Sequence, residues 1–153
     1  AVPLYEQLEL LKKNKVAVVC GILSGTLASL TGIFVLCMLF GFNHQQYVTM
    51  LPKSITTAIG IGISEELGGI VTITVAVIII TGILGNVIAD TVFHIFKIKN
   101  PLAKGLALGT ASHAIGTARA IEMGPVEGAM SSLAIAVSGI LTVVLSSLFA
   151  HFM

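Results

Sequence analysis

The chain is 153 residues long, 56% hydrophobic and only 10% charged, with a mean hydropathy of +1.03, whereas an ordinary soluble domain carries about a quarter charged residues. A soluble fold of this size has no interior large enough to hide so much apolar surface. A net charge of +1, with no basic run beyond Lys12, Lys13 and Lys15, leaves no electrostatic footprint for nucleic acid.

Residues 1–15 are polar and helix-favouring, with Glu6 and Glu9 ahead of the lysine cluster, and read as an interfacial segment. The opening Ala1-Val2-Pro3 has neither an initiator Met nor the pattern of a signal peptide, so the chain is expected to be part of a longer protein. The stretch 16–42 has no charge and exceeds the roughly 20 residues that a spanning helix needs. The lysines before it place its start in the cytoplasm. Cys20 and Cys37 both fall inside this span and read as packing residues. Its loop, Asn43 to Lys53, is rich in Asn, His and Gln and suits an aqueous interface, with Pro52 able to start the next helix.

Two units follow. The first, 50–97, holds a short apolar segment, 54–64, and a charge-free span, 70–89; the second, 100–153, holds a short segment, 102–112, and a span, 128–150. Apolar stretches of about 10 to 14 residues are often re-entrant rather than spanning. The units resemble each other: Ala58-Ile59-Gly60 and Ser64 to Gly69 parallel Ala107-Leu108-Gly109 and Ser112 to Thr117, and a Pro, Pro52 or Pro101, precedes each. Thr81-Gly82-Ile83-Leu84 likewise parallels Ser138-Gly139-Ile140-Leu141. Lysines at 97, 99 and 104 return the chain to the cytoplasm between the units, so one copy starts outside and the other inside. The expected fold is therefore all-α: a polytopic helical membrane protein, its solvent the lipid bilayer, with an inverted-topology repeat containing broken or re-entrant helices. Such repeats are a common plan of secondary transporters, with the substrate site where the broken helices meet.

Glu65 and Glu66 follow the first short segment, and Ser112 and His113 stand at the matching point of the second. If the two segments enter from opposite faces, Ser64 and Glu65 approach Ser112 and His113 near the membrane centre. Glu65, Glu66 and His113 are candidates for proton coupling, because burial and neighbouring charge bring such groups into reach of neutral pH. Arg119, beyond Gly116-Thr117, is the sole arginine and offers a bidentate clamp for a carboxylate; the competing reading pairs it with Glu122 at the interface. The small-residue stripe Gly21, Gly25, Ser29, Gly32 serves either self-association into a homo-oligomer or packing within the chain. No hydrolase elbow, HExxH or phosphate loop is present and the four histidines are scattered, so neither an enzyme nor a metal or cofactor site is expected.

The stretch Gly105 to Ala120, GLALGTASHAIGTARA, resembles the LrgB/CidB family of bacterial membrane proteins. Pro3-Leu4-Tyr5, Leu51-Pro52-Lys53-Ser54-Ile55-Thr56-Thr57, Ser64 to Gly69 and Val126-Glu127-Gly128-Ala129 extend the resemblance over nearly the whole chain. It implies a multi-pass protein of the bacterial plasma membrane, with a further hydrophobic region upstream. It also implies an antiholin-like role, with a small LrgA/CidA-type partner, in murein hydrolase control and autolysis. A later view of the family implies a pyruvate carrier, and a chloroplast relative exports glycolate and glycerate. Together these imply a small carboxylate bound by Ser64, Glu65, Ser112, His113, Gly116, Thr117 and Arg119. The rival is a regulator that acts on its partner by helix contacts alone. One position departs from the pattern that the resemblance implies: this chain has Gly62 where many relatives are expected to carry Glu.

Overall fold

Hydrophobic runs become helices here because a backbone in hydrocarbon must satisfy its own hydrogen bonds. The computed structural model describes residues 7–153, which form seven α-helices and a closing 3-10 turn, with no strand among the described residues. Of the expected interfacial segment, residues 1–6 lie outside the described residues; the rest is a short helix, α1 (Leu8–Lys13), and Asn14. Helix α2 (Lys15–Leu39) has 25 residues, about 38 Å at the α-helical rise, enough to cross a hydrocarbon core of roughly 30 Å. It ends where Gly41 takes a φ of +64°, which lets the Phe42 amide donate to the Cys37 carbonyl at 2.9 Å. The two ends of α2, the Lys15 end and the Leu39 end, mark the two ends of the bundle.

The segment expected as an aqueous loop folds instead into α3 (His44–Met50), which turns back along α2. Asn43 starts it: its side chain accepts from the Gln46 amide, and its own amide donates to the Gln46 side chain, both at 2.9 Å. Past this polar first turn, Tyr47, Val48 and Leu51 bury themselves against Leu30, Ile33 and Cys37. The chain reverses through residues 51–56 beside Ser29, near the midpoint of α2, and α4 (Thr57–Glu66) climbs back. Leu67 then packs on the same cluster as Phe42 and Phe149 at the Leu39 end. α3 and α4 thus form a hairpin that enters from the Leu39 end and stops halfway.

Helix α5 (Val71–Ile95) crosses to the Lys15 end, covering the expected span 70–89. Helix α6 (Pro101–Met123) begins there, with Asn100 accepting from the Leu102 amide at 2.9 Å and Pro101 at its first position. Its first arm, 101–112, runs beside α2: a Cβ on Gly21 would lie 3.1 Å from Leu106, and one on Gly25 2.9 Å from Thr110 Oγ1. At His113, with φ +42° and ψ −132°, the helix breaks. The second arm, 114–123, returns to the end it came from, so that Leu108 and Ala120 share one cluster with Ala89 and Phe93. Where the arms cross, a Cβ on Gly116 would stand 2.8 Å from the Leu108 carbonyl oxygen. Helix α7 (Pro125–Phe149) then crosses to the Leu39 end. It passes Ile121 at Gly128, Thr117 at Ser131 and Gly109 at Ala134, and its Phe149 carbonyl accepts from the Tyr47 hydroxyl at 2.8 Å.

Helices α2, α5 and α7 are long and apolar enough to span a membrane. Their outward faces carry exposed Leu, Val and Ile, such as Leu36, Ile80, Val87 and Val144, as a lipid-facing surface requires. The small-residue stripe of α2 works within the chain: Gly21 and Gly25 receive α6, Ser29 bonds the tip of the α3–α4 hairpin, and Gly32 stands open.

Candidate functional site

The tip of α6 lies against the middle of α5. A Cβ on Gly82 would come within 2.7 Å of the His113 ring, and one on Gly85 would run into Ser112. The two glycines flank the midpoint of the 25-residue α5, so Ser112 and His113 sit near half-depth, both buried.

The break frees backbone groups, and side chains take them up. Asn86 of α5 donates to the Ile115 carbonyl at 3.1 Å, and Thr117 donates to the His113 carbonyl at 2.9 Å while its hydroxyl meets Ser131 at 2.7 Å. His113 Nε2 lies 2.8 Å from the Ile78 carbonyl. A carbonyl only accepts, so Nε2 carries a proton, and Nδ1 is the position at which the ring gains or loses one. No protein group among the described residues bonds Nδ1. The ring is thus fastened on one side and chemically open on the other.

The α3–α4 hairpin brings a second polar group to the same depth. Lys53 Nζ donates to Ser54 Oγ at 2.7 Å and to Ser29 Oγ at 3.3 Å, and Ser29 donates to Ser54 at 3.0 Å. An ionised lysine at the centre of a membrane helix costs roughly 2.5–3.5 kcal/mol by insertion measurements. The two tips meet through Ile78: its side chain and Pro52 both pack on Gly60, and its carbonyl holds His113.

The other expected site residues lie elsewhere. Ser64 is buried, but its hydroxyl lies 2.8 Å from that of Thr74, in a ladder in which Thr74 donates to the Thr49 carbonyl at 2.9 Å. That places it one turn of α5 from Ile78 towards the Leu39 end, about 6 Å along the axis. Glu65 and Glu66 follow at the exposed end of α4, so the acidic pair is not brought to His113. Gly116 is the crossing point of the two arms of α6, where its missing side chain matters more than any contact it makes. Arg119 lies on the returning arm, paired with Asp90 and with Glu122 at 2.8 Å, and both acids are well exposed. Its guanidinium is thus already paired within the chain. A Cβ on Gly62 would meet nothing within 4 Å, which leaves room for the larger side chain expected there in relatives.

A groove of about 630 Å³ runs between α2 and α6, lined by Ala17, Gly21, Gly25 and Ala28 of α2 and by Ala103, Ala107 and Ala111 of α6. It starts near Asn100 at the Lys15 end and stops at Ala28 and Ala111, next in the chain to Ser29 and Ser112. No group of His, Cys, Asp and Glu among the described residues has the arrangement of a metal site.

Lys53 is the residue that sequence reading passed over. Its signal was available: seven of the eight lysines and arginines fall near residues 12–15 or 97–119, and Lys53 alone stands apart.

Comparison with known proteins gives a consistent assignment. The family model described as "LrgB-like family" matches residues 1–152. Proteins named "Antiholin-like protein LrgB" from Bacillus cereus and from Bacillus anthracis are 41% identical over 152 residues, 99% of this chain and 66% of their own length. The chain therefore spans just under two thirds of the curated relatives it matches. No solved structure matches it.

Proposed function

Because the chain belongs to the LrgB-like family, we propose that it is the transport subunit for a small monocarboxylate of the pyruvate or glycolate class. In this reading it resides in the bacterial plasma membrane, works with an LrgA/CidA-type small membrane protein, and is linked through that partner to control of murein hydrolase activity and autolysis. The observation that carries the reading is the break of α6 at Ser112 and His113. A buried imidazole is held at Nε2 and left without a protein partner at Nδ1, at half-depth, where ionisable groups are candidates for function. Membrane proteins tolerate interrupted helices at such depth where they line a substrate path.

The α3–α4 hairpin with α5, and the α6 hairpin with α7, are read as the two halves of an inverted repeat. Each is a half-depth hairpin followed by a crossing helix, and they enter from opposite ends. His113 is the proposed proton carrier and binds the substrate together with Ser112 and the Thr117–Ser131 hydroxyl pair. Ser64, Glu65 and Glu66 stand on the path towards the Leu39 end, and Arg119 at its mouth on the Lys15 end.

A second reading, a non-transporting regulator of a pore-forming partner, is favoured by the printed name of the relatives, "antiholin-like". Uptake of labelled pyruvate by proteoliposomes containing the full-length protein and its partner, with and without a pH gradient, separates the two. The carrier reading expects gradient-dependent uptake that His113→Ala abolishes while the protein still inserts and still binds its partner. Absence of uptake by a correctly inserted complex contradicts it.

A further inference from the structure

The cations of this chain are unequally provided for. Seven of eight belong to the clusters at the Lys15 end, and the arginine among them already holds two carboxylates, Asp90 and Glu122. Lys53, at half-depth, has only hydroxyl partners, Ser54 and Ser29, and no carboxylate among the described residues within ion-pair reach. An ammonium has three donor hydrogens, and two are used. In a membrane interior a charge persists where it meets an opposite charge or a polar cavity. Lys53 is partly exposed, and the α2–α6 groove ends one residue from its partner Ser29.

We propose that Lys53, and not Arg119, is the group that binds the carboxylate of the transported anion. Ser29 and Ser54 hold Nζ in place and leave its third hydrogen for the substrate oxygen. The His113 ring, fastened to Ile78 on the facing tip, supplies the neighbouring polar wall, so the anion sits where the two hairpins meet. The assignment rests on the carrier reading above and narrows it, because it demands a charged carboxylate rather than any small polar solute.

Two measurements test it in the full-length protein reconstituted with its partner. In the first, uptake kinetics of labelled pyruvate are compared for the unsubstituted protein, Lys53→Gln, Lys53→Arg and Lys99→Gln. Lys53→Gln is expected to raise KM at least tenfold, Lys53→Arg to recover most of that loss, and Lys99→Gln to stay within about threefold of the unsubstituted protein. In the second, the unsubstituted protein is treated with an amine-reactive reagent and labelling is read by mass spectrometry. Pyruvate is expected to protect Lys53 and leave Lys97 and Lys99 unprotected, and the neutral isostere pyruvamide to protect none of them. This arm decides the matter if Lys53→Gln fails to insert. Uptake by the unsubstituted protein with unprotected Lys53, or with unchanged KM in Lys53→Gln, overturns the assignment and leaves the carrier reading standing. No uptake and no protection removes both.

Discussion

The hairpin of α3 and α4 turns through residues 51–56, between Met50 and Thr57, whereas α6 turns at a single residue, His113. The wide tip has room for a charged chain and carries its own solvation, since Ser54 lies next to Lys53 and Ser29 faces both. The narrow tip has none. There the reversing residue takes a backbone conformation that L residues rarely adopt, at a cost on the order of 1–3 kcal/mol, and its own ring makes the bond to Ile78 that fixes the tip. One hairpin can therefore vary its tip without losing its arms. In the other, tip chemistry and fold are the same residue, and the crossing behind it at Gly116 and Leu108 permits no added atom.

Changes that strike the narrow tip should do most. His113→Ala is expected to cut gradient-driven pyruvate uptake at least a hundredfold, measured in proteoliposomes against a control for insertion. Wild-type rates in that variant would detach the break from function. Next come the glycines. Gly116→Leu would place side-chain atoms on the Leu108 carbonyl and on Ser112, and overpacking of this kind costs about 1–3 kcal/mol. Gly62→Leu, on the arm of the wide hairpin and with nothing within 4 Å of its Cβ, should leave the thermal midpoint in detergent unmoved. Equal midpoints for the two variants would erase the contrast between the hairpins. The smallest effects belong to the hydroxyl pairs. Thr117→Val, which deprives Ser131 and the His113 carbonyl of a partner, and Thr74→Val, which deprives Ser64 and the Thr49 carbonyl, should each cost about 0.6 kcal/mol, the mean for such bonds in membranes. Denaturation in mixed micelles reads both, and a much larger loss for Thr74→Val would make the α3–α4 hairpin the more fragile of the two.

Much of this was legible in the residues. Charge-free runs announce α2, α5 and α7 because a span needs only length and apolarity, and the Gly-rich, Pro-preceded segment 102–112 ends within one residue of the break. The returning arm of α6 was not legible. Arg119 and Glu122 mark an interface, but which interface depends on Gly116 crossing Leu108, a contact eight residues apart that no periodicity encodes. α3 was hidden for another reason: Asn43, His44, Gln45 and Gln46 look like a loop, and they are the exposed first turn of a helix whose next residues are buried. Lys53 reads as the flank of that loop until the tertiary fold supplies Ser29 from the middle of a different helix. Ser64 and Glu65, expected beside His113, lie a turn or more away because α4 ends at the Leu39 end, where Glu65 and Glu66 reach the surface.

The half-depth return of α6 places Ser112 and His113 beside the middle of α5, and sided labelling tests it directly. In a background with Cys20 and Cys37 replaced by Ala, single cysteines at Asn43, Asn100 and Pro125 are challenged with a membrane-impermeant thiol reagent from each side of sealed vesicles. Asn100→Cys and Pro125→Cys are expected to react from the same side, and Asn43→Cys from the other. Reaction of Asn100→Cys and Pro125→Cys from opposite sides would make α6 a spanning helix and contradict the account.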